Sequence, residues 1–253
     1  VRSTELGGEG VVTHGYDLNG NLTDITRFGV TTNYSYYPDG EISQIVDQFK
    51  NGAKNAINAG FDGVEIHAAN GYLLDQFLRN GTNQRKDQYG GSVENRTRLL
   101  LEVIEAISTV CEIDRVGVRL APSGTFNDIS DSDPKKLFGY AADQLNRFNL
   151  AYLHIVDALE SDIRHDAKVV PLPYLRKIYK GKIIVCGGYD KEKGNSIIAE
   201  GNADVVAFGQ LFLANPDLPE RFKAGAPLNE PDPSTFYGGG EKGYVDYPFM
   251  QEK

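Results

Sequence analysis

From Ser43 onward the apolar residues alternate between two patterns. Short, nearly all-apolar runs at 63–66, 115–120, 151–156, 182–186 and 204–208 predict strands. Runs of this length and character are expected of parallel strands covered on both faces. Between them the apolar positions recur about every 3.6 residues, the helical period. Ile42, Ile45, Val46, Phe49, Ala53, Ala56 and Ile57 form one such stripe, and Leu99, Leu100, Val103, Ile104, Ile107 and Val110 form another. Asp133 followed by Pro134 predicts an N-cap with proline at the first helical position, and Gly60 predicts the end of the first helix. Strand and helix signals in alternation mark successive βα units. The predicted fold class is α/β, a partial TIM-type (β/α) barrel with about five βα units, where a closed barrel has eight.

Residues 1–40 have a different character. They are rich in Gly, Asn, Asp, Thr and Tyr, with no helical period. Tyr16-Asp17-Leu18-Asn19-Gly20 and Tyr36-Tyr37-Pro38-Asp39-Gly40 begin twenty residues apart, and Asn-Gly and Asp-Gly pairs between β-formers are hairpin signals. Residues 10–40 resemble a tyrosine-aspartate (YD, or Rhs) repeat over about one and a half units. Two readings stay open: a remnant of a β-rich fusion partner, or a local ribbon using good turn residues. The expected organisation is a short β-hairpin-rich segment at 1–40 followed by an incomplete barrel at 41–253.

A chain of 253 residues can bury a sizeable core, and its net charge of −9 makes nucleic acid or an anionic membrane surface a poor partner. No apolar stretch nears the ~20 residues of a membrane helix, and the N-terminus carries neither a basic nor an apolar signal region. Cys111 and Cys186 lie far apart without CxxC spacing, as expected of two buried thiols in a reducing cytoplasm. No metal site is expected.

The candidate chemistry lies just after the first barrel-like strand, where one loop collects His67, Asn70 and Tyr72. Two neutral donors meeting one oxygen, beside a phenol, suit an α,β-unsaturated carbonyl. Hydride addition at its β-carbon builds enolate charge on oxygen, which preorganised donors stabilise. A phenol titrates near pH ~10, so at neutral pH it retains the proton a general acid gives up. The structural alternative is that His67 and Asn70 satisfy backbone groups while Tyr72 packs on the rim.

Further segments follow in a particular order and spacing. After Asp62-Gly63-Val64-Glu65-Ile66-His67-Ala68-Ala69-Asn70-Gly71-Tyr72 and Gln76-Phe77-Leu78 come Tyr89-Gly90-Gly91-Ser92-Val93-Glu94-Asn95-Arg96 and Gly117-Val118-Arg119-Leu120-Ala121-Pro122. Cys186-Gly187-Gly188-Tyr189, Ala207-Phe208-Gly209, Asn215-Pro216-Asp217-Leu218 and Phe236-Tyr237-Gly238 complete the series. With them, residues 43–253 resemble the C-terminal two-thirds of the old yellow enzyme family, FMN-dependent ene-reductases on a (βα)8 barrel. The resemblance implies FMN as cofactor, NADH or NADPH as reductant and a small electron-poor alkene, carbonyl- or nitro-activated, as substrate. In that chemistry NAD(P)H reduces FMN, the flavin passes hydride to the alkene, and Tyr72 supplies the proton.

The resemblance also implies roles along the chain. His67 and Asn70 would hold the acceptor oxygen, and Arg119 would meet the flavin, the alternative being a rim salt bridge. Gly187, Gly188, Phe208, Gly209 and Gln210 would line the phosphate loops, the alternative being ordinary βα turns. Tyr237 would lie near the site mouth or pack in the C-terminal tail. Gly90, Gly91, Glu94, Asn95 and Arg96 read as scaffold.

Three departures bear on this expectation. Nothing in residues 1–40 matches the family's opening three βα units; Gln210 stands where arginine is usual; and Asp157-Ala158-Leu159 replaces a Glu-Pro-Arg-like continuation. The strand count predicts open edges beside 63–66 and 204–208. Either residues 10–37 patch an edge, or a second copy or another chain supplies strands, or stability is marginal. The competing functional reading is a truncated, non-catalytic or weakly flavin-binding subunit of the same fold.

Overall fold

The computed structural model describes residues 2–7, 10–16, 22–27, 30–33, 39–164, 167–238 and 240–250. Four strands come first: β1 (Arg2–Gly7), β2 (Gly10–Tyr16), β3 (Leu22–Arg27) and β4 (Val30–Asn33). They form an antiparallel meander in chain order, as expected of a hairpin-rich segment. The Asn19-Gly20 turn lies outside the described residues. Asp39-Gly40, expected as a turn, instead opens helix α1 (Asp39–Asn58). Aspartate is favoured at a helix start as well as in a turn, so the dipeptide alone does not separate the two.

The chain divides into two compact units, Val1–Ile183 and Ile184–Lys253. The first continues with β5 (Val64–Ala68), α2 (Leu73–Leu78), α3 (Val93–Ser108), β6 (Val116–Leu120), α4 (Pro134–Leu145), β7 (Tyr152–Val156) and α5 (Leu172–Ile178). The division falls inside β8 (Ile183–Cys186). The second unit holds α6 (Lys191–Ala199), β9 (Val205–Val206), α7 (Gln210–Ala214) and α8 (Leu218–Ala224). The parallel sheet has five strands in the order β5-β6-β7-β8-β9, each followed by helix, so the α/β partial-barrel class holds. The fifth predicted strand is cut to two residues, although Ala207 N–H still donates to Val185 O at 2.8 Å.

Within the first unit the predicted stripes become core. Leu99, Leu100, Val103, Ile104 and Ile107 of α3 are buried, as are Leu137, Phe138 and Leu145 of α4 and Val116, Val118 and Leu120 of β6. Each such side chain contributes about 1.5–3 kcal/mol. Ser92 caps α3 by accepting from Asn95 N–H at 3.3 Å. Asp133 caps α4 by accepting from Lys136 N–H at 3.2 Å, with Pro134 at the first turn. Gly60, at φ 92°, follows α1 as expected. Cys111 is buried, Cys186 only half-buried, and neither forms a disulfide.

β5 and β9 are the end strands of the parallel sheet. Among the described residues β1 to β4 pair with one another and none joins the parallel sheet, so the first of the three alternatives, an edge patched by residues 10–37, is corrected for the strands described. Local antiparallel neighbours pair at lower loop-closure cost than a distant parallel edge. Beside β5 lies a groove of about 450 Å3 between α1 and the strand, lined by Ile45, Phe49, Ala53, Val64 and Ile66. Among the described residues no helix is long and apolar enough to cross a membrane.

Candidate functional site

Period-two alternation divides the parallel strands into an apolar and a polar face. On β5, Ile66 and Ala68 are buried, whereas Glu65 and His67 point the other way and are more open. The register pairs His67 with Arg119 on β6, and Arg119 with His154 on β7. One step earlier it pairs Glu65 with Gly117, and Gly117 with Tyr152. The polar face therefore carries two rows, Glu65-Gly117-Tyr152 and His67-Arg119-His154.

Gly117 makes the first row possible. A Cβ there would lie 2.3 Å from the Tyr152 ring, so only glycine lets that ring lie across β6. Tyr152 and His154 both hydrogen-bond Glu65, His154 through Nδ1 at 2.9 Å from Glu65 Oε2. Burial disfavours the Glu65 carboxylate, but His154, Arg119 and Tyr152 outweigh it and hold the carboxyl below its usual range. Burial, then the Arg119 charge, lowers the His67 pKa against the opposing pull of Glu65 and Asp75. Both effects favour the neutral imidazole.

Beyond β5 the backbone turns through a tight corner. Asn70 (φ 56°) and Gly71 (φ 73°) both adopt left-handed conformations; asparagine tolerates that region better than most residues. Gly71 N–H donates to Asp75 Oδ2 at 3.0 Å, and Gln76 Nε2 donates to Gly71 O at 2.6 Å. Asp75 is fully buried and paired with Arg79 at 2.9 Å. Burial pushes the Asp75 carboxyl up, against the pull of Arg79 and the Gly71 amide. Arg79 in turn donates to Ala121 O, just beyond β6, and lies over the Phe138 ring. Tyr72 ends the corner with its side chain half exposed, its ring centroid 5.0 Å from that of His67 at a 47° tilt.

The structure therefore brings His67, Tyr72 and Arg119 to one strand-end region, with Asn70 on the connecting corner. The remaining candidates lie in the second unit. Gly187 (φ 112°) and Gly188 (φ 62°) follow β8 in conformations glycine adopts readily. Gly209 has open space where a Cβ would be, and exposed Gln210 begins α7. Phe208 packs its ring edge-on against Phe222 at 5.3 Å. Tyr237 is 99% exposed. The scaffold residues behave as ties: Asn95 Nδ2 donates to Gly90 O at 3.0 Å, and Arg96 to Gly91 O at 3.1 Å and Asp131 at 2.7 Å. Among the described residues no group of three or more His, Cys, Asp or Glu side chains could hold a metal.

Sequence reasoning missed Glu65, Tyr152, His154 and Asp75. Alternation within the strand already puts Glu65 on the face of His67. Its partner His154 is 89 residues away, and only the register across β6 joins them.

Comparison with known proteins gives this geometry a lineage. Residues 22–229 match the NADH:flavin oxidoreductase / NADH oxidase family. The chain is 51% identical over 216 residues to 12-oxophytodienoate reductase 1 of Oryza sativa subsp. japonica, covering 84% of this chain and 57% of the relative. It is 48% identical over 210 residues to a probable flavin mononucleotide-dependent alkene reductase of Leishmania infantum, covering 83% of this chain and 56% of the relative. Among solved structures, morphinone reductase in complex with tetrahydroNAD is similar at a TM-score of 0.80 and 43% identity, covering 97% of this chain and 65% of that one. The chain spans just over half the length of these curated relatives. It belongs to the NADH:flavin oxidoreductase / NADH oxidase family, the old yellow enzymes.

Proposed function

We propose that this chain carries the acceptor-binding and proton-donating part of an FMN-dependent ene-reductase that takes its electrons from NADH or NADPH. The observation carrying the reading is His67 set in register beside Arg119, with the Tyr72 ring 5.0 Å away. FMN, when bound, supplies the hydride chemistry. The chain's residues fit such a group: Arg119 is a cation, Gly187 and Gly188 turn the chain through left-handed backbone, and Gly209 has open space where a Cβ would be. Arg119 would favour negative charge on the flavin ring, and the glycine corners with Gln210 would meet its phosphate. Phe208 would act there through its backbone, since its ring packs on Phe222.

His67 and Asn70 would donate to the carbonyl or nitro oxygen of a small electron-poor alkene, stabilising charge as it develops. Tyr72 would give its hydroxyl proton to the α-carbon. Tyr237 would contact substrate at the mouth. The relatives' additional length bears on flavin retention, and the open edge of β5 is where further strands, from a second copy or another chain, would pair.

Colour tests the reading. Protein mixed with FMN and desalted should keep a flavin absorbance band; a colourless product would favour the non-catalytic alternative. In yellow protein, Tyr72→Phe should leave NAD(P)H-driven flavin reduction intact and slow alkene reduction by about 10²–10⁴-fold. Equal loss in both half-reactions would overturn the proton-donor role.

A further inference from the structure

Among the described residues, the non-glycine positions with left-handed backbone are Asn70, Asn127 and Asp128. Asn70 and Asn127 lie 57 residues apart in sequence, yet they meet. Asn127 Nδ2 donates to Asn70 O at 3.0 Å. The contact also depends on Gly71, where a Cβ would sit 2.7 Å from Asn127 Cβ and 2.9 Å from Phe126 O. Two corners in an unfavourable backbone region are thus interlocked by one side-chain donor and one missing side chain.

The second corner is anchored in its turn. Thr125 N–H and Oγ1 both donate to Asp162 O, at 3.1 and 2.8 Å, and Thr125 Oγ1 accepts from Arg164 N–H at 3.1 Å. Asp128 N–H donates to Thr125 O at 3.0 Å. The loops after β5, β6 and β7 are therefore tied in series, and Asn127 links the chain to Asn70.

We infer that Asn127 is a positioning residue for the acceptor clamp: through the Asn70 carbonyl it fixes the corner that carries Asn70 and Tyr72. Its functional meaning rests on the ene-reductase reading above; its structural content does not. Asn127 is exposed, so substituting it leaves the core in place.

Asn127→Asp is nearly isosteric and keeps a residue type that tolerates left-handed backbone, but replaces the donor with a charged carboxylate; Asn127→Ala removes the donor without adding charge. Hydrogen exchange of the Gly71 and Tyr72 amides, bonded to Asp75 and Ala69 respectively, reads the corner directly and needs no flavin. Both amides should exchange about two- to tenfold faster in Asn127→Asp, with the urea midpoint nearly unchanged, and in Asn127→Ala, where the midpoint should fall slightly because alanine tolerates left-handed backbone less well. Unchanged exchange in both variants would overturn the inference. In flavin-loaded protein the KM for an electron-poor alkene such as 2-cyclohexenone should rise about tenfold in either variant, while flavin reduction by NAD(P)H keeps its rate. Equal slowing of both half-reactions would also overturn it. A wild-type chain that fails to hold FMN would defeat the ene-reductase reading, and the exchange data would still decide whether Asn127 holds the corner.

Discussion

The strand-end corners of the two units are built on opposite principles. In the first unit the corner after β5 is held by side chains: Asp75 and Gln76 grip Gly71 from both sides, and Arg79 carries the pair to Ala121. In the second unit the corners after β8 and β9 are glycine, and Gly188, Gly209 and Gln210 are exposed. The difference follows from the chemistry proposed for each. Orienting a donor pair and a proton requires side chains fixed in direction, so the first corner accepts left-handed strain at Asn70 and locks it from below. Holding an anion requires backbone N–H groups that a ligand can approach, so side chains are left out of the second.

The comparison breaks most severely at Asp75. Asp75→Asn leaves the Arg79 guanidinium, 2% exposed, without its carboxylate. The expected cost is about 3–5 kcal/mol in urea unfolding. A loss under about 1 kcal/mol would mean that Ala121 O and the Phe138 ring suffice for Arg79, and that the corner is not locked as described.

A smaller effect sharpens the other side. Gln210→Arg places a guanidinium at an exposed position beside the glycine corner. If that corner meets the flavin phosphate, FMN affinity should rise roughly tenfold to a hundredfold, as about 1.5–3 kcal/mol of charge-assisted hydrogen bonding implies. Quenching of FMN fluorescence on titration measures it, and an unchanged affinity would remove Gln210 from the phosphate site.

The smallest effect concerns the polar face under the first corner. Glu65 is held below its usual 4.5, so its stabilising contribution is complete above that value and fades as pH falls through the lowered one. Because Glu65 is partly exposed, the contribution is at most about 1 kcal/mol. Urea midpoints of wild type and Glu65→Gln should differ at pH 7 and converge in acid; a difference that persists at low pH would assign the effect to packing.

Much of this could be read before any coordinates. The five apolar runs became β5 to β9, and the stripe at Leu99, Leu100, Val103, Ile104 and Ile107 became the buried face of α3. Asp133-Pro134 became a capped helix start, because capping is a local hydrogen bond between residues three apart. His67, Asn70 and Tyr72 could be found because they share six residues of chain. The Asp39-Gly40 turn was not met, since aspartate and glycine there suit a hairpin and a helix start alike. Glu65 with His154, and Asn70 with Asn127, escaped for a different reason: each contact joins residues tens of positions apart.

The sequence by itself determined the alternation of strand and helix, the apolar faces and the identity of the groups after β5, since each depends on neighbours within a few turns of chain. Only the tertiary structure decided that His67 lies level with Arg119 and His154, that Gly117 admits the Tyr152 ring, and that two left-handed asparagines meet. The strand pattern fixes which face each side chain takes, but which strands and loops become neighbours is settled by packing between segments tens of residues apart.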